Sequence, residues 1–173
     1  MKSRKYGAGE LSLFAVFISA GLVLQYAESR FSVIPVPGGK IGLANIVSII
    51  NIFMFGGGNA IVIACIRAFA GALLSGGVGA VPYSVAGAAA SVAVMQCCKR
   101  LFYPRMSMIG MSMIGAVFHN LAQLCIAAVL FGTVYIFSYL PLMIAAGTLG
   151  GAVTGYAAQL FANRFLFRRT KQD

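Results

Sequence analysis

Acidic side chains are almost missing from this chain. Its 173 residues hold three, Glu10, Glu28 and Asp173, against 13 lysines and arginines. None of the three is expected inside a long apolar run, which excludes a carboxylate proton relay through such a segment. Histidine occurs once, as His119, without neighbouring carboxylates, so no metal site of ordinary type is expected. The four cysteines make no disulfide framework. Cys65 and Cys125 fall in apolar runs, where a thiol behaves as a small hydrophobe. Cys97 and Cys98 stand beside Lys99 and Arg100, at an end where thiols stay reduced. Gly38-Gly39-Lys40 lacks the upstream glycine and the following Ser or Thr of a phosphate loop, which excludes an ATPase site of that type. No cofactor is called for.

Apolar residues fill the space that charge leaves. The chain is 60% hydrophobic and 9% charged, with runs that reach or approach the roughly 20 residues needed to span a bilayer. The expectation is one integral membrane domain over 1–173, an all-α bundle of six transmembrane helices. Turn-forming Gly and Pro clusters place these at about 11–27, 41–55, 60–74, 81–98, 106–131 and 141–161. The basic amino end resembles a signal sequence, but no convincing cleavage site follows, and the first run reads as a retained helix.

A net charge of +10 suggests nucleic acid in a soluble chain. Here its placement speaks of topology instead, and no nucleic-acid partner is expected. Lys2, Arg4 and Lys5 precede helix 1. Lys99, Arg100 and Arg105 lie between helices 4 and 5, and Arg164, Arg168, Arg169 and Lys171 follow helix 6. Arg30 and Lys40 are the exceptions. The positive-inside rule then puts both termini in the cytoplasm of a multi-pass protein of the cell membrane.

Small residues recur at four-residue spacing where helices could approach closely. Gly147, Gly151 and Gly155 form such a ridge on helix 6; Ala15 and Ser19 form a shorter one on helix 1, a candidate docking face for a partner.

Polar groups within the apolar runs mark a candidate site. Arg67 lies in helix 3 with no acid expected at its depth, and an arginine stays charged, so it calls for an anionic ligand group, a set of backbone carbonyls, or a reach to Glu28 in the loop after helix 1. On helix 5, His119, Asn120 and Gln123 fall at three- and four-residue spacing and are expected to share one side. Asn45 stands one turn into helix 2, with Lys40 at its mouth. Together these six could line a cavity open to the outside, covered by the loops 28–40 and 131–140. No residue is expected to be catalytic.

Two stretches resemble a known family. Pro37-Gly38-Gly39-Lys40-Ile41-Gly42-Leu43-Ala44-Asn45-Ile46-Val47 looks like its opening motif, and His119-Asn120-Leu121-Ala122-Gln123 like its second. The family is called Gx transporter, and also heptaprenyl diphosphate synthase component I. The resemblance implies kinship with S components of energy-coupling factor (ECF) transporters. Those are six-helix membrane proteins that bind a scarce nutrient from outside and dock on a transmembrane T component and ATPase subunits. It implies that the chain is a substrate-binding subunit rather than an enzyme, taking a small, anionic and partly apolar molecule at Lys40, Asn45, His119, Asn120 and Gln123. The synthase name implies an alternative, an accessory component of heptaprenyl diphosphate synthesis. Chain-lengthening prenyl synthases hold magnesium–diphosphate with aspartate-rich motifs, and this chain has one aspartate, Asp173. That leaves a non-catalytic part in either case.

Overall fold

The computed structural model describes residues 7–30 and 42–166. They form six α-helices: α1 (Ala8–Arg30), α2 (Asn45–Phe55), α3 (Gly57–Ser75), α4 (Val81–Phe102), α5 (Met108–Phe131) and α6 (Leu140–Phe161). No strand occurs among the described residues. All but α2 are long and apolar enough to cross a membrane.

Helix α2 organises the rest. Helices α1, α3, α4, α5 and α6 pack in that order, each on the next, and α2 touches all five. Ile49 and Ile52 are fully enclosed, and Asn45, Ser48 and Asn51 are buried with them. Eleven residues rise only about 16 Å, roughly half the apolar thickness of a bilayer. The other half of the interior, beyond the start of α2, is left for side chains from its neighbours.

Of the boundaries that differ from the sequence-based expectation, three matter. Helix α1 continues to Arg30 rather than ending at Ala27, which puts Glu28 inside a helix and in the interior, 4% exposed. Helix α2 starts at Asn45 instead of near residue 41. Ala44 offers no side-chain cap; the Glu28 carboxylate, arriving from α1, accepts the backbone N–H of Gly42 and of Leu43, the latter at 3.1 Å. Gly42 has φ 93°, a conformation open to glycine at little cost. A carboxylate here also complements the positive end of the helix dipole. Helix α4 runs to Phe102, so Lys99 and Arg100 belong to its last turn.

The glycine ridge of α6 is internal packing. A Cβ added at Gly151 would lie 2.6 Å from the Met113 Cα, and one at Gly155 2.6 Å from the Ile109 Cα. Helices α5 and α6 therefore meet backbone to backbone, with Ser112 and Thr154 hydroxyls 2.9 Å apart in the contact. Ala15 and Ser19 on α1 are exposed, and Ala15 lines an apolar groove that α1 forms with Val62 and Ile66 of α3.

The two ends of the bundle differ. Phe14 and Phe17 of α1 pack edge-on against Phe55, the last residue of α2. The Lys99 ammonium caps the same end of α2, donating to the Ile52 carbonyl at 2.8 Å above the Phe53 ring. Arg105, Gln159 and Asn163 line one groove nearby. The described basic residues after α4 and α6 thus gather at this end, and the start of α2 lies at the other.

Candidate functional site: the Arg67 cavity

The cavity at the start of α2 is built by five helices. Helix α1 supplies Gln25 and Glu28, α2 Asn45, α3 Arg67, α4 Ser84 and α5 His119. Local sequence explains how each arrives. The three fully buried residues of α1 are Gly21, Gln25 and Glu28, four and three positions apart and so on one face. The rest of that helix is largely apolar and outward-facing.

Glycines make room for the polar chains. A Cβ at Gly21 would fall 2.2 Å from Arg67 Cδ, one at Gly71 2.5 Å from the Gln25 amide, and one at Gly87 2.9 Å from the His119 ring. Each glycine therefore seats a polar side chain of a neighbouring helix.

Arg67 is 3% exposed, and its Nη1 donates to Gln25 Oε1 at 2.8 Å. Its Nε, wholly buried, has no hydrogen-bond partner among the described residues. Asn45, 2% exposed, accepts a long contact from Ser91 Oγ at 3.5 Å through Oδ1, and its Nδ2 has no partner among the described residues. Two buried donors thus belong to side chains lining one cavity, an arrangement that costs free energy until an acceptor enters. The void measures about 20 Å³, space for roughly one water.

The structure divides the residues singled out from sequence. Arg67, Asn45 and His119 come together. Asn120 does not join them: its amide donates to the Met143 carbonyl of α6 at 2.8 Å, beside Gly147. Asn120 therefore parts from His119, since adjacent helical positions point about 100° apart. Gln123 is 1% exposed, with neither amide atom partnered among the described residues, and it is not part of the cavity wall. Lys40 lies outside the described residues, as does nearly all of the loop 28–40. The loop 131–140 does not cover this cavity. Its 3₁₀ segment, Val134–Tyr139, packs Ile136 and Phe137 against Leu124 and Met143.

Sequence reasoning missed Gln25 and Ser84; it offered Glu28 only as a loop residue within reach of Arg67. The expected absence of acid at the depth of Arg67 is corrected as well, since Glu28 lines the same cavity. The signal was present in the Gly21, Gln25, Glu28 spacing of an otherwise apolar helix; ending that helix at Ala27 concealed it.

A family model described as heptaprenyl diphosphate synthase component I matches residues 17–161, and the chain belongs to that family. No curated protein matches the chain.

Proposed function

We propose, with that family membership as the premise, that the chain is a non-catalytic membrane subunit holding a small ligand through an acceptor oxygen at Arg67 and Asn45. The observation that carries this reading is the pair of buried, unpartnered donors, Arg67 Nε and Asn45 Nδ2, on one cavity. Two donors call for a carboxylate, phosphoryl or carbonyl oxygen. As it stands the cavity has room for about one oxygen atom and not for the whole group. A larger ligand enters by displacing Gln25 from Arg67 and moving the start of α2 outward. With Glu28 also on the wall, the ligand is held by directed hydrogen bonds more than by net positive charge.

Two settings suit such a subunit. The family description favours an accessory role in heptaprenyl diphosphate synthesis, with an isoprenoid precursor as ligand and a catalytic subunit as partner. The place of the cavity, at the end opposite the basic residues that follow α4 and α6, favours capture from outside by an S component of an ECF transporter, with a T component and ATPase subunits as partners and the exposed face of Ala15 and Ser19 as the contact.

The test is to purify the protein in mild detergent and identify retained small molecules by mass spectrometry, beside an Arg67→Gln preparation of equal folded yield. A compound bearing a carboxylate, phosphate or carbonyl and lost from the variant is the expected result. Equal retention by both proteins returns Arg67 to a purely structural role. Reconstitution with an ECF module or with a prenyl synthase catalytic subunit then separates the two settings.

A further inference from the structure

A second polar concavity lies at the opposite end of the bundle, where the turn between α4 and α5 meets the end of α6. It encloses about 370 Å³ and is lined by Tyr103, Arg105, Ser107, Gln159 and Asn163, among others. Its chemistry differs from that of the apolar helix surfaces around it. Arg105 and Asn163 are exposed donors, and the Ser107 oxygen accepts the Gly110 N–H at 3.2 Å, which leaves its own O–H to donate. Gln159 Oε1 is a buried acceptor with no partner among the described residues, which a head-group hydroxyl could satisfy and a phosphoryl oxygen could not.

The surroundings are cationic. Arg100 and Arg164 are exposed at the ends of the neighbouring helices. Among the described residues, the acids are Glu10 and Glu28. Glu28 is at the far end of the bundle; Glu10, in the first turn of α1, is at the same end as the groove, where it accepts the Gly7 N–H at 3.4 Å, but α1 is not one of the helices that line the groove. The groove sits at the ends of membrane-length helices, the depth at which the phosphates of lipids lie. Basic pockets between helices at this level suit phosphate-bearing head groups.

We propose that this groove binds the phosphate head of an amphiphile, with Arg105 on the phosphoryl oxygens and Asn163 and Ser107 donating beside it. The tail then runs along the apolar outside of the bundle. The same chemistry is offered by an acidic bilayer phospholipid and by an isoprenoid diphosphate. The site is independent of the Arg67 cavity and stands or falls separately from it.

The experiment is native mass spectrometry of the detergent-purified protein titrated with phosphatidylglycerol, using phosphatidylcholine as the reference lipid. Three variants accompany it: Arg105→Gln, Asn163→Ala and Arg100→Gln. Arg105 and Asn163 are exposed, so their substitution leaves the bundle intact. Arg100→Gln removes the same charge at the same end but outside the groove. Phosphatidylglycerol is expected to bind in preference to phosphatidylcholine. Arg105→Gln should weaken it about tenfold, as loss of a charge-assisted contact does, with Asn163→Ala weakening it less and Arg100→Gln leaving it close to the unaltered protein. Farnesyl diphosphate is then added as competitor: displacement of the lipid identifies the isoprenoid as a ligand of the same groove, and persistence of the lipid identifies the bilayer as the source. Equal binding of the two lipids overturns the proposal. So do equal losses in Arg105→Gln and Arg100→Gln, which would mean diffuse attraction to the basic end.

Discussion

Arg67 donates to the Gln25 side chain at 2.8 Å, tying α3 to α1 across a buried contact between residues 42 apart in the chain. Helix α1 has few other deep attachments, since its fully buried residues are Gly21, Gln25 and Glu28. It is held at this end by polar contacts rather than by an apolar face. A ligand oxygen at Arg67 would compete with Gln25 for the same guanidinium.

Substitution of each partner should therefore have opposite consequences for a bound ligand. Arg67→Gln removes a charge-assisted donor, worth about 1.5–3 kcal/mol, and should weaken ligand binding by about tenfold to over a hundredfold. Gln25→Ala frees the guanidinium and should leave affinity equal or tighter, while lowering thermal stability. Affinity measured in detergent, for proteins of matched folded yield, checks both. Unchanged affinity in a well-folded Arg67→Gln protein refutes the ligand role of Arg67.

The seat of Arg67 is equally open to test. Gly21→Ala sets a methyl 2.2 Å from Arg67 Cδ, and the arginine must shift or α1 must move. Overpacking of this kind costs about 1–3 kcal/mol. A lowered unfolding midpoint in detergent, with ligand affinity also reduced, is the expected outcome; Gly9→Ala, where a Cβ meets nothing within 4 Å, is the control.

Glu28 holds the start of α2 through the N–H groups of Gly42 and Leu43. Glu28→Ala leaves these donors without that acceptor and should destabilise the protein by about 1–3 kcal/mol. Glu28→Gln keeps one acceptor oxygen and should cost less. Thermal unfolding monitored by circular dichroism orders the three proteins; an alanine variant as stable as the parent would show that the tether contributes nothing.

The two small-residue ridges should separate folding from assembly. Gly151→Leu drives a side chain into the α5 backbone, where even a Cβ would sit 2.6 Å from the Met113 Cα, and should abolish the folded bundle. The pair Ala15→Leu and Ser19→Leu adds bulk to an exposed face and should leave the purified protein folded and monodisperse. If that face docks a partner, co-purification with a T component or a synthase subunit falls in the double variant. Normal assembly would place the contact elsewhere.

Orientation is tested with single cysteines at Ser32 and Thr170 in a protein freed of its native thiols, both positions lying outside the described residues. An impermeant reagent applied to intact cells should label the first and spare the second. Labelling at Thr170 reverses the topology read from the basic residues.

The amino-acid sequence by itself determined the class of the molecule, its helices and the gathering of basic residues near certain helix ends. Long apolar runs carry those properties locally, each within a single segment. It also marked Arg67, Asn45 and His119 as costly in an apolar setting. Only the tertiary structure decided which of them meet. Periodicity says that a helix has a face, but not which neighbour the face turns to. Asn120, one position from His119, finds the Met143 carbonyl of α6 because Gly147 lets that backbone approach. His119 turns instead to α4, where Gly87 leaves space for its ring. Gln25 and Glu28 became partners of Arg67 and Gly42 through contacts between distant parts of the chain. Those contacts depend on how closely the glycines let five helices pack around the short α2. That is a property of the assembled bundle, and no single segment encodes it.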